Sequence, residues 1–365
     1  MINEKLLARV RNQLATSEGE ITELEISQAL RNSGALESGS ELLALARNIK
    51  SALVGYGPLE QIMTQPGITD VLIHGDGRVF VDSAAGLSFV GKLFSDATSV
   101  RNFAQRLAMQ AGRRLDDAQP YVDAKLVDGN RLHALLPPIA VAGPQISIRI
   151  PSQKPFSFPE LIEQNCLTAA AAADLIELIN SHESFLVIGA TGAGKTSLLA
   201  SMLSQIDPAE RLLVVEENSE LRIAHPHLVQ LEAKPATADG VGAIGMPELV
   251  RQTLRMRPDR IVIGEIRGKE VLELLLAINT GHTGSAATLH ANSAAEVPAR
   301  VAALGFLAGI DANLSTEWLL QGITKIVEIK KVAGKRKVTS IAAANQVTGS
   351  YDVIATYQNA ELRAA

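Results

Sequence analysis

The stretch Gly189-Ala190-Thr191-Gly192-Ala193-Gly194-Lys195-Thr196 follows the apolar run Phe185-Leu186-Val187-Ile188 and precedes a helix-forming segment that opens at Ser197. Such a unit, strand then glycine turn then helix, restricts the fold to an α/β arrangement. Gly192 and Gly194 let backbone N–H groups turn inward around phosphate oxygens, where a side chain would obstruct them. Lys195 has the reach for the β- and γ-phosphates, and the Thr196 hydroxyl is placed to ligate Mg2+. The helix behind them points its positive dipole end at the same anion. Gly189 through Ser197 are therefore the candidate nucleotide-binding residues, with a nucleoside triphosphate and Mg2+ as the expected ligands.

The 365 residues suffice for two domains, and 47% of them are apolar, enough to build substantial cores. A net charge of −5 argues against a polyanion-binding surface over the whole molecule. Cys166 is the only cysteine, which excludes an intrachain disulfide and a multi-cysteine zinc site. The N-terminus mixes charged and apolar residues without a signal-peptide core, and no uninterrupted apolar run is long enough to span a bilayer. The expectation is a cytoplasmic protein that meets the membrane through partners.

Along the chain, residues 1–50 read as a helical segment, with Ile2, Leu6, Val10 and Leu14 in one stripe and Leu42, Leu43, Leu45 and Ile49 in another. Residues 51–150 read as a small α+β domain. Its β runs at 68–73 and 78–82 flank a hairpin turn, a helix covers 99–112, and a second hairpin joins 121–126 to 131–136. Three prolines within 151–160 suggest a stiff linker over 151–162. From 163 to 365, strands at 185–189, 211–216, 227–231 and 260–264 alternate with helices, the pattern of a largely parallel sheet. Near the end, two β runs flank Ala333-Gly334-Lys335-Arg336-Lys337, a basic hairpin that reads most simply as a solvated tip.

Three further clusters carry chemistry. The strand Arg260-Ile261-Val262-Ile263-Gly264 ends in Glu265, and such a strand beside the phosphate-loop strand would deliver a carboxylate to Mg2+. Glu216, Glu217 and Glu220 follow the strand 212–215; one of them could orient or deprotonate an attacking water, or all could belong to a charged turn. His282 and His290 lie eight residues apart across a glycine-rich turn. An imidazole there could hydrogen-bond a γ-phosphate, ligate a metal, or serve the structure alone.

Taken together, these segments resemble the secretion-superfamily ATPases, the hexameric motors of type II and type IV secretion, type IV pili and conjugation. Glu216 to Leu221 resembles their aspartate box, Arg255 to Gly268 their Walker B region, and residues 281–293 their histidine box. The phrases Gly55-Tyr56-Gly57-Pro58-Leu59-Glu60, Leu254 to Arg260 and Thr288-Leu289-His290-Ala291-Asn292-Ser293 are most similar to the CpaF/TadA branch, which powers tight-adherence (Flp) pilus assembly. The likeness runs from about residue 50 to 345.

The resemblance implies a RecA-like phosphate-loop domain with a smaller, PAS-like N-terminal α+β domain. It implies that Glu216 activates water, Glu265 is the Walker B acid, and His290 lies in the site. Arg131 and Arg149 would reach the nucleotide phosphates when the N-terminal domain closes. It further implies a homo-hexamer that acts on inner-membrane platform proteins and, through them, on pilin, with no direct contact to nucleic acid. Apart from the resemblance, Arg251, Arg255, Arg257 and Arg260 put more cations near the Glu265 strand than one site needs, which favours a ring over a monomer. Two departures stand out: Glu217 where the family usually has Asp, and Gln230 where it commonly has Arg. A type IV secretion or conjugative motor, and a nucleotide-gated scaffold with little turnover, are the alternatives.

Overall fold

A computed structural model describes residues 22–32, 42, 45–47, 49–51, 55–83, 85–151, 154–234 and 241–357. Of the N-terminal helical segment, it contains α1 (Glu23–Asn32), and Leu42, Leu45 and Ile49 are helical. The stripe from Ile2 to Leu14 lies outside the described residues. The chain divides into two compact units, Met1–Ser152 and Gln153–Ala365.

The first unit is built on six strands: β1 (Ile68–Ile73), β2 (Arg78–Ser83), β3 (Ser88–Lys92), β4 (Tyr121–Lys125), β5 (Arg131–Leu135) and β6 (Gln145–Arg149). They lie in the order β3-β2-β1-β6-β5-β4, every pair antiparallel. Both expected hairpins form. Strand alternation sends Val71, Ile73, Leu132, Ala134, Ile146 and Ile148 to one face. There they pack with Val100, Phe103 and Leu107 of α2 (Ala97–Gln110), whose start is fixed by a capping box between Asp96 and Ser99. The opposite face carries Asp70, His133, Ser147 and Arg149 beside Leu72, Phe80 and Phe89.

The second unit runs α3 (Phe158–Glu163), α4 (Ala169–Asn180), β7 (Phe185–Ile188), α5 (Lys195–Leu203), β8 (Leu212–Glu216), β9 (Leu228–Glu232), α6 (Met246–Thr253) and β10 (Arg260–Ile266). It continues with α7 (Glu270–Asn279), β11 (Ala286–Leu289), α8 (Val297–Leu307), α9 (Ala312–Gly322), β12 (Lys325–Val332), β13 (Lys335–Asn345) and β14 (Ser350–Thr356). The sheet order is β14-β13-β12-β7-β11-β10-β8-β9. Strands β12 through β9 are parallel, and β13 and β14 add an antiparallel edge. Strands β7, β8 and β11 are buried along their whole length, as a sheet covered on both faces requires. Phe185 and Val187 enter the core with α4 and α5, whereas Leu186 and Ile188 enter the other with α6 to α9.

Two expectations change. The segment read as a linker over 151–162 contains α3, because Ser157 and Glu160 form a capping box and Phe158 and Leu161 join the core of the second unit. Pro159, in the first turn, suits the helix entry. Nor does the Glu265 strand lie beside the phosphate-loop strand: β11 stands between them, hydrogen-bonded to both.

Candidate functional site

Gly194 takes φ of +99° at the N-cap of α5, a conformation that a side chain would strain, and so turns the chain from loop into helix. Lys195 follows and is only 6% exposed. Its ammonium needs acceptors in that setting, and it donates to the carbonyls of Gly189 at 3.0 Å and Ala190 at 3.2 Å. Burial, helped by the Arg267 charge, lowers its pKa, while Glu265 opposes the shift.

The position of β11 explains what gathers around this lysine. His290 leaves the C-terminal end of β11, between the strands that end in the phosphate loop and in Glu265. Its Nε2 lies 3.4 Å from Lys195 Nζ and 3.0 Å from Glu265 Oε1. Burial and the Lys195 charge hold the imidazole pKa below its usual value, so it is neutral near pH 7. Arg267 Nη2 donates to Glu265 Oε2 at 2.6 Å, which raises the guanidinium pKa. The Glu265 Oε1 atom is shielded from solvent and has no aligned hydrogen-bond donor among the described residues.

Glu216, at the end of β8, is 4% exposed. Its Oε1 accepts the backbone N–H groups of Glu220 and Leu221, both at 2.9 Å, and its Oε2 has no hydrogen-bond partner among the described residues. Burial raises the carboxyl pKa; the two amides pull it down, and the charges of Glu220 and Glu232 add to the rise. A carboxylate with a free buried oxygen and a raised pKa is a good proton acceptor. Gly264 on β10 makes room for it, since a Cβ there would stand 2.6 Å from Glu216 Cγ.

The two departures from the resemblance receive structural places. Glu217 is exposed and lies 3.7 Å from Arg267 Nη1, a solvated pair of small energetic weight. Gln230 donates from Nε2 to the Leu221 carbonyl at 2.9 Å, tying β9 to the turn that holds Glu216. A cleft of about 350 Å3 opens beside these groups, lined by Glu217, Glu265, Arg267, Lys269 and Glu270 among others.

The residues fit a hard divalent cation. Thr196 and Glu265 would supply oxygen donors, and Glu265 Oε1, buried 3.0 Å from His290 Nε2 without an aligned hydrogen bond, is the kind of atom such an ion satisfies. No group of three His, Cys, Asp or Glu that could hold a metal occurs among the described residues. Mg2+ does not need one, because it binds chiefly through phosphate and water. His282 stays outside the cluster, with Nδ1 3.1 Å from the Ala277 carbonyl at the end of α7.

A sequence profile of the type II/IV secretion system proteins matches residues 52–354. The chain belongs to that family. It is 43% identical over 325 residues to a putative conjugal transfer protein of Mycobacterium tuberculosis, covering 87% of this chain and 92% of that one. The conjugal transfer protein TrbB of Rhizobium radiobacter is 30% identical over 279 residues, covering 75% and 83%. Among solved structures, the ATPase DotB of Legionella pneumophila aligns with a TM-score of 0.56 at 20% identity over 79% of each chain. The pilus retraction motor PilT with bound ADP aligns at 0.56 and 19% identity over 83% of each. These two likenesses show the fold.

Within this secretion-family chain, Arg131 and Arg149 lie on the first unit as direct cross-strand partners of β5 and β6. Partners in an antiparallel pair share a face, here the one turned away from α2, where Arg149 is exposed and Arg131 half-buried. On its other side Arg149 stands directly opposite Asp70 of β1. Sequence reading missed two features. Arg260 is not a ring cation: it is 1% exposed and bound to Glu210 at 2.6 Å and to the Ile179 carbonyl at 2.9 Å. The basic hairpin tip at 333–336 is exposed, as expected, and from it Arg336 Nε donates to the Gly192 carbonyl at 3.2 Å. Only the density of cations at 335–337 signalled it beforehand.

No helix among the described residues is long and apolar enough to cross a membrane.

Proposed function

We propose that this chain is an ATP-hydrolysing motor that assembles as a homo-hexamer and drives a secretion machine on the cytoplasmic face of the membrane. The observation that carries the reading is the convergence of Lys195, His290 and Glu265 within 3.4 Å contacts at the mouth of the phosphate loop. Lys195 leaves its loop carbonyls for the β- and γ-phosphates, and the N–H groups of residues 192 and 194–197 cradle the α- and β-phosphates. Mg2+, held through Thr196 and Glu265, would neutralise phosphate charge and orient the γ-phosphoryl group. Glu216 accepts a proton from the attacking water as its oxygen bonds to the γ-phosphorus and the bond to the β–γ bridging oxygen breaks. The products are ADP and phosphate. His290 hydrogen-bonds the γ-phosphoryl oxygens in its neutral form. Arg131 and Arg149 close over the phosphates from the PAS-like domain, so that hydrolysis and domain rotation are coupled.

In the cell, that rotation works on inner-membrane platform proteins of a CpaF/TadA-type (Flp) pilus system, which move pilin subunits. A type IV secretion or conjugative machine is the second reading. It is favoured by the 43% identity to a putative conjugal transfer protein and leaves the chemistry unchanged. Steady-state phosphate release with Mg-ATP tests the motor against a nucleotide-gated scaffold. Wild-type turnover well above Lys195→Ala and Glu265→Ala is expected, whereas turnover at their level would leave only the scaffold. Multi-angle light scattering with nucleotide reads the hexamer. Association of the chain with a co-expressed pilus platform rather than a conjugative core complex separates the two cargoes.

A further inference from the structure

We propose that Arg336 is a positioning residue for the phosphate loop, acting through the Gly192 carbonyl. The proposal rests on the nucleotide-binding reading of residues 189–197 and extends it to the C-terminal hairpin β12–β13.

The hairpin lies against the loop at both ends. The Ile329 carbonyl oxygen would stand 2.3 Å from a Cβ on Gly189, and Arg336 Cδ would stand 3.0 Å from a Cβ on Gly194. The approach of this ribbon is thus a second reason, beside phosphate, for glycine at both places. Arg336 Nε donates to the Gly192 oxygen at 3.2 Å, and across the same peptide the Ala193 N–H donates to the Ala190 carbonyl at 3.2 Å. Both polar groups of the peptide between Gly192 and Ala193 are tied, which fixes its plane. That plane sets the direction of the N–H groups that follow, and with it the cradle for the anion.

The charge pattern of the ribbon agrees. Lys331 is directly opposite Arg336, and Lys330 is directly opposite Lys337. Successive pairs face opposite sides of the ribbon, and Lys330 is neutralised by Glu328 at 2.7 Å. The like-charged pair on the Arg336 side is therefore Lys331 with Arg336, which weakens a hairpin that serves only as a turn. Beside a loop that receives a polyphosphate, the same charges are favourable.

The full chain is titrated with a fluorescent ATP analogue and with ADP, each with Mg2+, and phosphate release is followed in parallel. Arg336→Ala is expected to weaken ATP and ADP alike, by about five- to tenfold, since it removes one charge-assisted hydrogen bond at an exposed site. KM rises by the same factor and kcat stays within about twofold, because preorganisation of the loop is uniform binding. Arg336→Lys recovers part of the loss. Lys335→Ala, an exposed neighbour of equal charge, behaves as wild type. Unchanged affinity in Arg336→Ala, or an equal loss in Lys335→Ala, overturns the proposal. So does a loss confined to ATP, or a fall in kcat at constant KM, either of which would put Arg336 on the reacting phosphate instead. Wild-type protein that binds no more nucleotide than Lys195→Ala would sink the nucleotide-binding reading itself, which is a separate result.

Discussion

His290 Nε2 stands between Lys195 Nζ, 3.4 Å away, and Glu265 Oε1, 3.0 Å away. A single ring nitrogen either donates to the carboxylate or accepts from the ammonium; it does not do both at once. The imidazole therefore links the two ends of the phosphate site, and its tautomer follows whichever neighbour the nucleotide draws away. His290→Ala is expected to lower kcat by about a hundredfold, the scale on which loss of one preorganised polar group at a transferring phosphoryl acts. Nucleotide affinity should stay within a few-fold, because Lys195 keeps its place in the loop. Phosphate release and analogue binding read the two effects separately, and undiminished turnover removes His290 from the mechanism.

That contact also marks how far the sequence alone could be read. The unit from Phe185 to Leu203 was legible because the same residues dictate both its local shape and its chemistry. Glu216 and Glu265 were legible as strand-end acids. Strand order was not, since nothing within β10 or β11 states which strand will sit beside β7; pairing is fixed by the packing of both faces. The passage of β11 between β7 and β10 is what brings His290, and not His282, to the lysine. For Arg260 and Arg336 the difficulty is the same. One basic residue in a run begins a buried strand, another lands on a distant loop, and both outcomes depend on tertiary neighbours absent from the local pattern.

Gly264 is a sensitive position for this reason. A Cβ at that site would meet Glu216 Cγ at 2.6 Å, and Glu216 is too buried to swing into solvent. Gly264→Ala is expected to destabilise the protein by about 1–3 kcal/mol, as overpacking does, and to reduce turnover at least about tenfold by displacing the carboxylate. Urea unfolding gives the first quantity and phosphate release the second. Wild-type values for both would mean that the Glu216 pocket yields freely.

The raised pKa of Glu216 has a consequence for stability that can be separated from catalysis. The folded state holds this proton more tightly than the unfolded chain does. The stabilising contribution is complete below the unfolded pKa of about 4.3 and is lost as pH rises through the higher folded value. Gln at this position keeps an oxygen for the Glu220 and Leu221 amides and never ionises. Glu216→Gln should match wild type in Tm near pH 4, exceed it at neutral pH, and lose at least about a hundredfold in turnover. A Tm gap that does not widen with pH would show that burial does not perturb this carboxyl.

Arg131 and Arg149 give the opposite combination. They are directly opposed cations, but Arg149 also stands opposite Asp70 on β1, and at this half-exposed face such charge pairs contribute little net stability to the first unit. Arg131→Ala and Arg149→Ala are each expected to leave Tm unchanged or slightly raised while lowering kcat about a hundredfold, as loss of a phosphate-clamping guanidinium does. A drop in Tm matched by an unaltered specific activity of the folded fraction would reassign the pair to structure.

Arg260 and Glu210 test the reverse case, a charged pair retained for the fold alone. Arg260 donates from Nε and Nη2 to both carboxylate oxygens of Glu210, at 2.6 and 2.9 Å, and from Nη2 to the Ile179 carbonyl. The guanidinium is almost wholly buried, whereas the carboxylate keeps partial access to solvent. Removing the carboxylate leaves a cation enclosed without its counter-charge, which costs about 3–5 kcal/mol for a buried pair. Replacing the arginine leaves only a carboxylate that water can reach. Glu210→Ala should therefore destabilise at least as much as Arg260→Met. Both variants should hydrolyse ATP normally per folded molecule at a temperature below their transitions. Equal and small losses in denaturant midpoint, or a turnover defect in either variant, would return Arg260 to the cations available to the ring.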